Sequence, residues 1–266
     1  MVSTLEGRGS EVGRTRLLVD DRSGVRTIRL NRPEVRNAVD LRTAKELAAA
    51  LDELDADETL SVGVVSGDRT AFSAGMDLRA FAESGEKPWV DGRFAGIAGT
   101  PRAKPLIAAV EGFALAGGLE IAIACDIIVA SRTARFGIPE VRRGLVAAGG
   151  GLLRLPHLIP PNVAMELALT GQDISADRAY DLGLVNRVVD PGEALAVAQE
   201  LAGQIALNAP LAVRASKQIL TEGADWPRAE AFAEQYAISG PVDDSNDARE
   251  GARAFTEKRP PRWTCS

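Results

Sequence analysis

Two acidic residues and two glycine-flanked bends are the parts of this chain whose types and spacing point to chemistry. Glu120 falls in a predominantly apolar stretch, Leu115 to Ala130, where an ionised carboxylate is costly unless it is paired or used. Glu140 follows Gly137-Ile138-Pro139, where proline stiffens the approach. Two such carboxylates can hold one water and share one proton, so that they titrate as a unit. Their plainer alternative is a salt bridge to Arg135, Arg142 or Arg143, which spacing leaves open. The first bend is Ala114-Leu115-Ala116-Gly117-Gly118-Leu119-Glu120, at a loop-to-helix junction. Consecutive glycines let a ligand approach the backbone, and free amides at a helix start favour an oxygen acquiring negative charge. A tight packing contact would need the same small residues. The second bend, Ser73-Ala74-Gly75-Met76-Asp77, can likewise turn an amide toward a carbonyl.

Other chemistries fit less well. Ser73 stands near a nucleophile-elbow spacing, but position 71 is Ala, and the one histidine, His157, sits in a Leu-Pro-His segment read as a turn or partly buried position. A single histidine also excludes multi-histidine metal sites, and Cys125 and Cys265 form neither a disulfide framework nor a CxxC cluster. No metal is expected. Dinucleotide and Walker fingerprints are missing. The balance of 31 Lys plus Arg against 37 Asp plus Glu gives a net charge of −6, which argues against a nucleic-acid partner. No apolar run is long enough to span a bilayer, and the N-terminus does not read as a secretory signal. The expectation is a soluble, cytoplasmic protein in a reducing compartment.

The elements that must position these residues read as α/β. Val25 to Asn31 alternates as a strand, Asp40 caps a helix with apolar positions Ala44, Leu47, Ala48, Leu51 and Leu54, and Leu60 to Ser66 is a buried strand. Phe81 to Pro101 reads as a mobile segment. Pro105 to Glu111 is a strand, Gly112 to Gly118 a loop, Leu119 to Cys125 a helix and Asp126 to Ser131 a strand. Helices follow at Asn162 to Thr170 and after Ser175, then a strand at Leu184 to Val189. After Pro191 four helical segments, near 191–207, 210–222, 226–239 and 245–257, carry no strand between them. The organisation is therefore a frayed tail over 1–16, an α/β core over 17–190 and a helical subdomain over 191–266. The charged ending around Phe255 and Lys258 is either a solvated face or a grip on a phosphate-bearing ligand.

Four motifs taken in order resemble the enoyl-CoA hydratase/isomerase (crotonase) family. They are Asn31-Arg32-Pro33-Glu34-Val35-Arg36-Asn37-Ala38, Ala71-Phe72-Ser73-Ala74-Gly75-Met76-Asp77-Leu78, Gly112 through Glu120, and Phe136-Gly137-Ile138-Pro139-Glu140. Glu250 through Arg259 is similar to the family's C-terminal signature. The resemblance spans roughly residues 25 to 263 and implies a spiral of β-β-α units with a helical C-terminal trimerisation region, assembled as a homotrimer or as a hexamer of two trimers. It further implies an acyl-CoA thioester substrate, no cofactor beyond the coenzyme A that is part of that substrate, and no membrane partner. The amides of Met76 and Gly117 would hold an enolate oxygen, and Glu120 and Glu140 would act on water and carbon. Arg36, Ala38, Ala74, Asp77, Leu78 and Gly118 would line the acyl-CoA, with Phe255 and Lys258 nearing its nucleotide end. The reaction implied is hydration of a 2-enoyl-CoA; the alternatives are an enoyl-CoA isomerase and a non-catalytic acyl-CoA binder. Met76 is bulkier than the residue often found at its position, and the loop Leu145 to Gly151 lacks a proline frequent there, so the acyl pocket is expected to differ in width.

Overall fold

The computed structural model describes residues 15–266. A six-stranded sheet runs in the order β1 (Leu17–Arg22), β2 (Val25–Leu30), β3 (Val62–Ser66), β6 (Leu106–Val110), β8 (Ile127–Ser131) and β11 (Arg187–Val189). β1 and β2 form an antiparallel hairpin, and every later neighbour is parallel. All five residues of β3 and all five of β6 are buried, as parallel strands covered on both faces require. One face packs on α1 (Leu41–Ala56), which is capped by the Asp40 carboxylate and buries Ala44, Leu47, Ala48, Leu51 and Leu54. The opposite face carries α7 (Ala194–Ala206), whose Ala194, Ala198 and Ala202 press on Val62, Val64, Ile107 and Val129. Glu111 anchors that helix by accepting from the amides of Gly192 and Ala194.

A second layer positions the site. β7 (Phe113–Leu115) pairs in parallel with β9 (Arg135–Gly137), and β9 pairs antiparallel with β10 (Asp173–Ser175). Single bridges continue the layer from Ala114 to Ser73 and from Met76 to Val39. Each pass of the chain thus lays one strand in the large sheet and a short one in this layer before a helix. After β6 and β7 comes α3 (Gly117–Ala122); after β8 and β9 comes the tight 3-10 turn Pro139–Arg143. The β-β-α spiral expected from the motifs is the fold observed.

Several local readings change. Residues 15 and 16 do not fray: Arg16 pairs with Asp40, and its carbonyl accepts from Asn31. The rest of the expected tail, 1–14, lies outside the described residues. Phe81 to Pro101, expected to be mobile, holds the end of α2 (Leu78–Ser84) and the hairpin of β4 (Trp89–Val90) and β5 (Arg93–Phe94). Phe94, Ala95, Ile97 and Ala98 of this segment are buried, and the Trp89 and Phe94 rings meet edge to face at 6.0 Å. Its apolar anchors outweigh its glycines and charges. Part of the Gly112 to Gly118 loop is β7. His157 is exposed on α4 (Gly151–Leu158), not in a turn, and α4 is followed by α5 (Pro161–Thr170) and α6 (Ala176–Asp181).

The C-terminal helices are α7, α8 (Pro210–Glu222), α9 (Ala231–Asp243) and α10 (Asn246–Glu257). α8 packs on α9 and α9 on α10, and the final residues return to α7 through the Trp263 indole, which donates to the Leu207 carbonyl at 2.8 Å. Leu220, Phe232 and Tyr236 stay exposed on these helices. Cys125 is buried and Cys265 partly exposed; both are free thiols. No helix among the described residues is long and apolar enough to cross a membrane.

Candidate active site

The two bends meet. Gly75, at φ +85°, packs so closely on the second bend that a Cβ there would lie 2.6 Å from the Gly117 nitrogen. Gly118 is equally confined, since a Cβ on it would stand 2.1 Å from the Ser73 carbonyl oxygen. The packing reason for small residues therefore holds, and it coexists with free donors. The segment Arg36 to Val39 pairs with Ala74 to Asp77: the amides of Ala74 and Asp77 donate to Arg36 and Val39 carbonyls at 3.0 and 2.9 Å, and the Val39 amide donates to Gly75. Amides alternate in direction along such a segment, so the Met76 amide points away from that partner. Neither it nor the Gly117 amide, first in α3, finds a backbone or side-chain acceptor among the described residues. Buried amides are rarely left unpaired without a ligand to receive them. Ala116 caps α3 at φ 52°, ψ −131°, a strained conformation for an alanine that turns the chain into the Gly117 amide.

A buried polar cluster fixes the first bend. The Arg32 side chain, 5% exposed, donates to the Ala38 carbonyl at 2.6 Å and contacts Asp40 and Asp77 at 3.3 and 3.0 Å. Asp77 also caps α2 by accepting from Arg79 and Ala80 amides. Asp77, expected beside substrate, has its carboxylate committed to holding Met76 in place. Ser73 is fully buried, with its hydroxyl donating to Asn37 O at 2.8 Å, so it is no exposed nucleophile.

Glu120 and Glu140 lie near enough across this layer for the charge of the first to act on the second. Glu120 is 2% exposed, and its Oε1 accepts from the Gly151 amide at 2.9 Å. Burial raises its pKa, while the amides of Gly149 and Gly151 and the Arg154 guanidinium work against that rise. Glu140 stands on the Pro139–Arg143 turn, its Oε2 buried without a partner. Burial, with the Glu120 charge adding to it, pushes its pKa up to about 7. Neither glutamate makes an ion pair among the described residues: Arg135 goes to Asp173, and Arg142 to the Thr170 carbonyl. Such a pair can keep one carboxyl protonated beside one ionised near neutral pH.

Ala38 is buried, Ala74 half-buried, and Arg36 and Leu78 exposed around the first bend. Phe255, 86% exposed, and Lys258 lie on or just after α10, which packs on α9; among the described residues nothing joins them to the glutamates. Four residues of the site, Phe94, Gly149, Gly151 and Arg154, are not among those the sequence assigns a role. Phe94 packs against Gly117 and Gly149, Gly149 and Gly151 cradle Glu120, and Arg154 flanks them. The run Gly149-Gly150-Gly151 before a Leu-rich stretch was their visible signal. Among the described residues no three His, Cys, Asp or Glu side chains gather to hold a metal ion.

The sequence profile described as Enoyl-CoA hydratase/isomerase matches residues 20–266. A carnitinyl-CoA dehydratase of Salmonella enteritidis is 42% identical over 247 residues, covering 89% of this chain and 93% of that protein. Among solved structures, an enoyl-CoA hydratase from Mycobacterium tuberculosis is 54% identical with a TM-score of 0.92, covering 94% of this chain and 99% of its own. A carnitinyl-CoA hydratase from Mycobacterium avium is 37% identical with a TM-score of 0.75, covering 96% and 100%. With sequence and fold matched over nearly its whole length, the chain belongs to the enoyl-CoA hydratase/isomerase family, and its fold is the crotonase fold.

Proposed function

We propose that this protein is a 2-enoyl-CoA hydratase, acting in reverse as a 3-hydroxyacyl-CoA dehydratase. The observation that carries the reading is the asymmetry of the buried pair: Glu140 is a carboxyl with a pKa near 7, and Glu120 is a carboxylate supplied with backbone donors. In hydration the water oxygen bonds to the β-carbon and its proton passes to Glu120. The π electrons move onto the thioester oxygen, where the Met76 and Gly117 amides hold the developing charge. The enolate collapses as Glu140 gives its proton to the α-carbon. The proton gained by Glu120 then returns to Glu140, directly or through solvent, and the pair is reset. An isomerase moves one proton between carbons and has no use for a second, water-holding carboxylate.

Arg36, Ala38, Ala74, Leu78 and Gly118 line the thioester in this reading. Exposed Leu220, Phe232 and Tyr236 favour assembly into a homotrimer, alone or paired as a hexamer, with Phe255 and Lys258 of one copy reaching the nucleotide end of another's substrate. Similarity to a carnitinyl-CoA dehydratase makes carnitinyl-CoA a candidate beside simple acyl chains. The test is turnover on straight, branched and aromatic 2-enoyl thioesters and on carnitinyl-CoA, with product analysis. A 3-hydroxyacyl thioester, or its dehydration, is expected. A shifted double bond without hydration, or binding without turnover across the panel, would overturn the proposal.

A further inference from the structure

Arg154 is a half-buried guanidinium that makes no ion pair among the described residues. Burying such a charge is costly without a carboxylate in contact, and burial lowers its pKa. What it does touch is backbone. Nη2 donates to the Gly99 carbonyl at 2.6 Å, and Nη1 reaches the Gly149 carbonyl at 3.5 Å. Gly150 lies so near that a Cβ there would stand 2.2 Å from Nη1. Gly99 ends the segment that carries Phe94, and Gly149 opens the bend whose amides hold Glu120. Phe94 is wedged between Gly149 and Gly117, so one side chain ties together the segment, the bend and the start of α3.

We infer that Arg154 is a positioning residue of the hydration site. By clasping the Gly99 and Gly149 carbonyls it fixes the Gly149–Gly151 bend, and through it the direction in which the Glu120 carboxylate faces Glu140. The inference rests on the hydratase reading for its kinetic consequence, but its geometry does not. Lysine, with a single ammonium, cannot span both carbonyls as a planar fork does. The charged groups facing Glu120 are Arg154 from α4 and Glu140 from the 139–143 turn.

The test compares the parent with Arg154→Gln and Arg154→Lys on but-2-enoyl-CoA, in the presence and absence of Glu120→Gln. Arg154→Gln should lower kcat by about 10- to 100-fold, the scale of misplacing a catalytic group by an ångström, with KM held within about threefold. The acid limb of its pH–kcat profile should move to higher pH, because a cation that favours the ionised Glu120 is gone. Arg154→Lys should restore that limb without restoring kcat. In the Glu120→Gln background the Arg154→Gln change should cost less than about twofold, since its effect runs through Glu120. A rise in KM at unchanged kcat, an unmoved limb, or an equal loss in both backgrounds would overturn the inference. Should Arg154→Gln not fold, Arg154→Lys decides alone: reduced kcat at preserved KM supports it, and parental kcat refutes it. If the parent turns over no thioester, carbon-13 NMR titration of the Glu120 carboxyl reads the inference directly. An upward pKa in Arg154→Gln, or in Arg154→Met should Arg154→Gln not fold, beside a parental value in Arg154→Lys supports it, and an unchanged pKa in the uncharged variant refutes it.

Discussion

The surroundings of Glu120 and those of Glu140 treat the same side chain in opposite ways. Around Glu120 the chain has removed side chains, so that backbone amides come within reach: Gly149 and Gly151 stand against the carboxylate, and a Cβ on either would meet it at 2.7 and 3.1 Å. Around Glu140 a proline-led turn brings the carboxyl inward and leaves one oxygen without a donor. Both groups are desolvated, yet Glu140 is given only its own amide in return, whereas Glu120 is given the amides of Gly149 and Gly151. Burial alone therefore does not assign acid and base; the supply of backbone donors does, and here that supply depends on glycine.

The contrast is broken most directly by neutralising each group in turn. Glu140→Gln and Glu120→Gln should each lower hydration by about 10² to 10⁴-fold, the usual worth of a general acid or base. The limbs they remove should differ. Glu140 must be protonated to give its proton to carbon, so activity falls as pH rises through about 7, and Glu140→Gln flattens that limb of the residual profile. Glu120→Gln should flatten the acid limb instead; loss of the same limb in both variants would erase the assigned difference. A smaller effect follows from the glycines. Gly149→Ala, whose Cβ would crowd both Glu120 and Phe94, should cost on the order of tenfold in kcat. Gly144→Ala, beside the Glu140 turn, meets nothing within 4 Å and bears only the strain of φ +69°, so it should lose about 1–2 kcal/mol of stability at nearly parental kcat.

The gentlest probe is stability against pH. Glu140 has its folded pKa raised, so the folded chain holds this proton more tightly than the unfolded chain does. That contribution is complete below the ordinary glutamate value and is lost as pH rises through about 7. The full shift corresponds to about 3 kcal/mol, and the part-exposed position of Glu140 reduces it through solvent screening, so denaturant melts of Glu140→Gln should show a gain over the parent of about 2 kcal/mol at pH 8 relative to pH 4. Glutamate held by donors should behave less simply, because those donors oppose the effect of burial at Glu120.

Long periodic elements of this fold are legible in the residues. The Asp40 cap and the apolar spacing of Ala44 to Leu54 give α1, and the C-terminal helices stand near their expected places. Short elements are not, because three residues carry no period: β7 and β10 exist only through their partners. Helix α4 is hidden by its leading glycines and by Pro156 inside it. In the site, the motif positions Met76, Gly117, Glu120 and Glu140 are readable through family resemblance, and the structure brings them together. Phe94 and Arg154 are not, since their importance lies in contacts to distant backbone that no local pattern announces.

The two free thiols make a natural clock for this architecture. Cys125 sits within the main core, where desolvation drives its pKa far above that of an ordinary thiol, whereas Cys265 is within reach of solvent near the chain's end. An alkylating reagent can capture the first only during the moments when the core has come apart, so its slow incorporation counts opening events while the second sulfur, already partly exposed, reacts without them.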